Sequence, residues 1–186
     1  MEIKASQVKE LRDMTGVAMM ECKKALVECD GELEKALDLL RSNSALKAEK
    51  KAARVAADGV LKIFVGNKYA TLIEINSETD FAAKDSNFIS FTNDVNEYIS
   101  NNMVSNVSEL NNSEIEDKRK ALVQTIGENI QLRRLDTKEY SAEMSAGSYL
   151  HSDSKLGAVV VVSGGDESLA KDIAMHVAAF NPLCLS

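Results

Sequence analysis

The 186 residues carry a net charge of −7, 45% hydrophobic residues and a single proline, which excludes a long disordered or low-complexity chain and a surface built throughout for nucleic acid. No apolar run approaches the roughly 20 residues that span a bilayer, and the opening MEIKASQVKE lacks the apolar stretch of a signal peptide, so a soluble, unexported protein without membrane contact is expected. Cys22, Cys29 and Cys184 fall in no CxxC or Cys/His spacing that holds zinc, which points to a reducing cytoplasm and to no metal site.

In chain order, Ser6 is placed to cap a first helix with apolar positions Val8, Leu11 and Met14, and Thr15-Gly16 supplies its stop. A second helix is expected from about Ala18 to Glu28. The third carries Leu33, Ala36, Leu37 and Leu40 at i, i+3, i+4 and i+7 behind Asp30 as its cap. SALKAEKKAARVAA, from Ser44 to Ala57, reads as a connecting helix ended by Gly59. The period then falls from about 3.6 to 2: Leu61, Ile63, Val65 and then Thr71, Ile73, Ile75 flank Gly66-Asn67, which predicts a β-hairpin.

Further on, Ser86 is placed to cap a helix bearing Phe88, Phe91, Val95 and Tyr98, and Ser113 with Glu116 spells a capping box before Ile115, Leu122 and Ile126. These two helices are expected to cover the hairpin. Strands are predicted around Gln131 to Lys138 and near Gly147 to His151, and Gly157 to Val162 reads as a buried strand. Gly164-Gly165-Asp166 then leads into an apolar helix ending before Pro182. The fold class is α+β, with at least two units.

Little in the chain assembles a catalytic centre. Cys22 has no base placed beside it, so a small core residue is the commoner reading than a nucleophile paired with His151 or His176. His176, amid Ile173, Ala174, Val177 and Ala178, reads as a core-edge histidine, and no Walker or GxGxxG loop is present. The basic run Lys47, Lys50, Lys51, Arg54 has no interleaved aromatics, so a solvated helix face is favoured over an RNA-binding surface. An interaction module, with the helical unit binding a peptide and the rest as scaffold, stays open alongside it. IEINSETDFAAKD, Ile73 to Asp85, differs in kind: a strand runs into a loop ending in an acid and a large aromatic. The residues alone leave two alternatives, Phe81 tucked onto the sheet with Asp80 capping a turn, or an exposed working tip.

Several segments occur in the order found in one family: VKELRDMTGVAMMECKKAL, Asp30-Gly31, the AADG before the hairpin, ETDFAAKDSNF, IGENIQLRR, GSYLH and IAMHVAA. Through them nearly the whole chain resembles the elongation factor Ts family, guanine-nucleotide exchange factors of bacterial and organellar translation. The resemblance implies an amino-terminal three-helix, ubiquitin-associated-like domain and connecting helix over residues 1–54, and a core of two related α+β subdomains. The first, over 55–140, carries the Thr79-Asp80-Phe81 loop; residues 141–186 begin the second, which is expected to be incomplete, since the sequence stops soon after Asn181-Pro182.

The resemblance also implies the activity. The partner is elongation factor Tu holding GDP, and Thr79, Asp80, Phe81 and Ala82 form the motif that enters its G domain and dislodges magnesium. Lys23, Ile126, Gly127 and His151 match supporting contacts. Nucleotide and magnesium belong to the partner, so the chain itself has no cofactor, no catalytic residue and no covalent chemistry, and direct nucleic-acid binding is not expected. Ala82 stands where valine is typical, and Ser77 where cysteine is frequent. An incomplete second subdomain implies weaker exchange and a tendency to self-associate through exposed apolar surface.

Overall fold

A computed structural model of the chain describes residues 3–182; Cys184 lies outside the described residues. Three helices open it: α1 (Ala5–Thr15), α2 (Met19–Glu28) and α3 (Leu33–Lys51). Their apolar stripes close on Val8, Leu11, Val17, Cys22, Leu26, Ala36 and Leu40, all buried. Three local expectations are corrected. Ser6 sits inside the first turn, and Lys4 is the N-cap residue, its N–H held by Gln7 Oε1 at 3.1 Å. Asp30 is not a cap: with φ 51° it joins Gly31, φ 82°, in a left-handed turn, whereas an N-cap needs extended backbone, and Glu32 takes that place. The predicted connecting helix is the second half of α3, because nothing between Leu40 and Lys51 breaks a helix; Gly59 is not its stop but lies within the next strand.

That uninterrupted helix serves two cores. Its first half packs on α1 and α2, while Ala48 enters a second and larger cluster. Ser44 bonds Gln124 and Lys51 bonds the Gly127 carbonyl. Thr125 Oγ1 to Gly16 O at 3.3 Å and Lys47 to Glu21 at 3.1 Å complete the junction.

The central sheet is antiparallel in the order β1 (Asp58–Val65), β2 (Tyr69–Ser77), β3 (Gln131–Glu139). Between β2 and β3 come a helical turn α4 (Asp80–Ala83), α5 (Ser86–Asn101), a short α6 (Val107–Asn111) that no sequence signal had marked, and α7 (Glu114–Ile126). Ile73, Ile75, Phe88, Phe91, Val95, Ile99, Ile115, Val123 and Ile130 form the core between this sheet and α5, α7 and the end of α3. Paired residues of antiparallel strands share a face, and Val60 and Phe64 stand opposite Ile75 and Thr71. They, and not Leu61, Ile63 and Val65, therefore face the helices. β1 is apolar on both faces because both are covered. One cap and one capping box are also corrected: Asp85, not Ser86, caps α5 through Asn87 N–H at 2.8 Å. Ser113 does cap α7, but Glu116 turns away to Arg119, so no capping box forms.

A second layer, the hairpin of β4 (Met144–Leu150) and β5 (Gly157–Ser163), lies on the other face of the sheet and is covered in turn by α8 (Glu167–Phe180). The Ser154 carbonyl accepts the Leu61 N–H at 2.7 Å, tying the hairpin turn to the edge of β1. β5 is half-buried, not the fully buried strand its valine run predicts; only Ala158 in it is buried. Ala170, Ala174 and Ala178 set α8 down closely on the hairpin. A Cβ built on Gly147 would lie 2.3 Å from backbone atoms of Ala170 and Lys171. His176 is exposed and stacks on Phe180 at 4.5 Å, so it is not a core-edge residue.

Two outcomes follow from this packing. Gly147→Ala forces α8 off β4 and lowers stability by about 2 kcal/mol or more, read as a drop in thermal midpoint with the α1–α3 unit still helical. Glu116 and Arg119 are only 15% and 16% exposed. Burial pushes the Glu116 carboxyl up, but two bonds from Arg119 and the charge of Lys120 outweigh it and hold the group below the usual carboxylate range. A depressed folded-state value stabilises above that range and is lost as pH falls through it. Glu116→Gln therefore costs about 1–2 kcal/mol at neutral pH, and the deficit closes in an acid-unfolding series.

Candidate functional site

The segment after β2 is a turn of helix, not the open loop the sequence suggests. Thr79 is its cap, with extended backbone and Oγ1 accepting the Ala82 N–H at 3.2 Å. The turn presents two unlike faces. Ala82 and Ala83 are buried, 5% and 8% exposed, and seat it on the sheet edge. Phe81 stands outward at 81% exposure. Of the two alternatives for Phe81 the tucked one is absent: inward positions are filled by methyl groups, and the ring is left in water.

Beneath the turn runs a network of hydrogen bonds. Ser77 Oγ donates to the Thr79 carbonyl at 2.9 Å. Glu128 takes the Thr79 N–H at 3.0 Å on one oxygen and the Thr79 hydroxyl at 2.7 Å on the other. Glu78 accepts the Asn129 N–H at 2.6 Å and faces Arg54 at 3.5 Å. Asn129, wholly buried, donates to the Arg54 carbonyl at 2.8 Å. Arg119 reaches the Ile130 carbonyl at 2.7 Å and so fixes the same 127–130 segment from α7.

Asp80 points away from that network to the exposed side, where Lys84 pairs with it at 2.8 Å and holds its carboxyl below the ordinary value, aided by Lys155. It borders a cleft of 310 Å³ floored by Val60, Phe88 and Ile89 and closed on the far side by Asp153, Ser154 and Lys155. His151, half-exposed, stands at the start of that same turn and pairs with Asp153 at 3.0 Å.

The structure thus brings together the Thr79–Ala82 turn, Gly127 through its neighbour Glu128, and the His151 turn across the cleft. Ile126 ends α7 immediately before Gly127, partly buried against the main core. Lys23 is separate, on the exposed face of α2 with no ionic partner among the described residues. The basic run is largely committed within the chain: Lys47 to Glu21, Lys51 to Gly127 and Arg54 to Glu78, while Lys50 is exposed. Cys22 is buried, and burial pushes its thiol up, away from a nucleophile's range. Among the described residues no cluster of three or more His, Cys, Asp or Glu is placed to hold a metal, and no helix is long and apolar enough to cross a membrane.

Sequence reasoning missed Glu78, Glu128 and Arg119. The signal was present in GENIQ, whose acid precedes a buried asparagine, but nothing local reveals which strand end such an acid serves.

Residues 78–186 match the family model described as elongation factor TS. The chain is 50% identical over 186 residues to the elongation factor Ts of Hahella chejuensis, covering 99% of this chain and 64% of that protein. It is 50% identical over 182 residues to that of Marinobacter nauticus, with 97% and 62% covered, and 47% identical over 188 residues to that of Arthrospira platensis, with 97% and 75% covered. The chain thus spans somewhat under two thirds of the length of the first two relatives. With half of all positions shared from end to end, and a family model that begins at Glu78 and takes in both the Thr79–Ala82 turn and the Glu128 beneath it, this chain belongs to the elongation factor Ts family.

Proposed function

We propose that this chain binds elongation factor Tu in its GDP form and promotes release of the nucleotide, so that GTP can replace it. The observation that carries the reading is Phe81, a large aromatic ring 81% exposed on a turn whose cap, Thr79, is bonded to Glu128 through both its N–H and its hydroxyl. A free surface phenylalanine gains by burial in a partner, and one on a fixed turn enters without first being ordered. Phe81 wedges into the partner's G domain, Asp80 engages the same region, and magnesium is displaced from the nucleotide. Thr79 and Ala82 shape the turn from within. Lys23, Ile126-Gly127 and His151 supply supporting contacts.

The chain performs no covalent step in this scheme, and needs no cofactor, since nucleotide and magnesium are the partner's. Its place of work is the cytoplasm, where translation proceeds. Nucleic acid has no part, in keeping with the net charge of −7 and a basic run mostly paired within the fold.

Burying one phenylalanine contributes roughly 2–3 kcal/mol, and each tenfold in rate takes about 1.4 kcal/mol. Phe81 alone therefore accounts for at most about two decades. Any further acceleration comes from contacts that favour the nucleotide-free partner, and that coupling is reciprocal: rebinding of GDP or GTP weakens the partner's hold on the factor.

Release of labelled GDP from elongation factor Tu is the test. The parent chain accelerates it, and Phe81→Ala removes up to about a hundredfold of the acceleration, whereas Lys50→Glu leaves it essentially unchanged. No acceleration by the parent chain overturns the reading; an unaltered rate in Phe81→Ala overturns the wedge. Self-association is proposed as well, because β4 and β5 form a sheet with no third strand among the described residues, and Leu169, Met175 and Phe180 are exposed on α8. Light scattering is expected to show a mass that rises with concentration, and a monomer throughout counts against it.

A further inference from the structure

The bonds beneath Phe81 have a directionality that packing alone does not require. Thr79 Oγ1 is used twice, accepting the Ala82 N–H at 3.2 Å and donating to Glu128 at 2.7 Å. A hydroxyl that donates to a charged oxygen becomes a better acceptor, so the Glu128 charge strengthens the cap of the turn through the threonine. The second Glu128 oxygen takes the Thr79 N–H. A carboxylate is the only side chain with two acceptors and no donor; a glutamine here would set an N–H₂ against one of the two Thr79 donors. The strap runs both ways, since Glu78, one residue before Thr79, accepts the N–H of Asn129, one residue after Glu128. Two adjacent residues on each of two segments thus exchange three bonds.

Among the described residues no other side chains join these two segments beyond the end of the β2–β3 ladder at Asn76 and Gln131. The 127–130 segment is itself held from α3 by Lys51 at the Gly127 carbonyl and from α7 by Arg119 at the Ile130 carbonyl. Glu128 therefore passes the position of two long helices to a four-residue turn that is too short to be stable on its own.

We infer that Glu128 is a positioning residue for nucleotide exchange: it touches neither partner nor nucleotide, and acts by holding the Thr79–Ala82 turn so that Phe81 is presented in one orientation. The inference rests on the proposed exchange reading. When the strap is removed, the turn must be ordered at the moment of wedging, so the loss falls on the rate of displacement and less on the encounter, which the remaining contacts support.

The test has two parts. In the isolated chain, amide exchange by NMR is expected to quicken at Thr79 and Ala82 by about tenfold or more in Glu128→Ala, with Ile73 and Val123 unchanged; unaltered protection at Thr79 overturns the inference. In GDP release from elongation factor Tu, Glu128→Ala is expected to lower the maximal rate by about tenfold, with the half-saturating concentration changed by less than about twofold. Combined with Phe81→Ala it adds no further loss, because it acts through Phe81. Thr79→Val, of the same shape but without the hydroxyl, loses the cap and one of the two Glu128 bonds and lowers the maximal rate in the same direction. Additive losses in the double variant, or a full rate in Thr79→Val, overturn the positioning role alone; a parent chain that releases no GDP overturns the exchange reading and this role with it.

Discussion

An aromatic ring in water is of use to a partner only when the backbone under it is stationary, and here that condition is met by one threonine hydroxyl between an amide and a carboxylate. Thr79 closes a turn that has no hydrophobic core of its own beyond two alanine methyl groups. Remove the hydroxyl and the remaining order in the turn rests on Ala82, Ala83, the Ser77 bond to the Thr79 carbonyl and the single bond from the Thr79 N–H to Glu128. Lys51 and Arg119 give Glu128 a fixed address within the fold. That explains why so many unrelated elements converge on residues 127–130: the end of α3, the end of α7 and the start of β3.

The layers have complementary duties. The cluster around Phe88, Ile73 and Val123 makes the sheet and its helices one body, so a displacement at Gly127 is not absorbed locally. The β4–β5 hairpin, on the opposite face, brings Asp153 and Lys155 to the cleft beside Asp80. At the Glu74/Ile75 irregularity β3 gains a residue, and both Arg133 and Arg134 reach Glu74, at 2.9 and 2.5 Å. Burial raises the Glu74 carboxyl, but the two guanidinium groups and Asn76 bring it below its usual range, so three charged groups meet at Glu74, with both arginines reaching out to solvent.

Much of this was legible in the residues. Helix and strand existence followed from periodicity at Val8–Leu11, at Leu33–Leu40 and along β2, and the α+β class with it. The failures lie where two physical signals compete. Ser6, Asp30 and Ser86 are good caps by type, yet a neighbour one to two residues away had the extended backbone a cap needs, and side-chain chemistry does not report backbone angles. The stripe Leu61, Ile63, Val65 obeys the period of a half-buried strand, but β1 is covered on both faces, so alternation cannot say which set meets the helices. The exposed Phe81 was visible only as one of two alternatives, and its anchor Glu128 was invisible, because a bond between residues 49 positions apart leaves no local trace.

The length of α3 has a meaning of its own. Nineteen residues without a break make a beam of about 28 Å, with the α1–α2 pair mounted near one end and α7 bolted to the other. On such a beam angular phase is set by residue count, at about 100° per residue. One residue inserted between Leu40 and Ser44 would swing the face bearing Lys23 by more than a quarter turn about the α3 axis, whereas an insertion of about seven, close to two full turns, would bring it nearly back to the same angle. The three-helix unit is therefore aimed by arithmetic as well as by its contacts: the number of residues in α3 is a pointing angle.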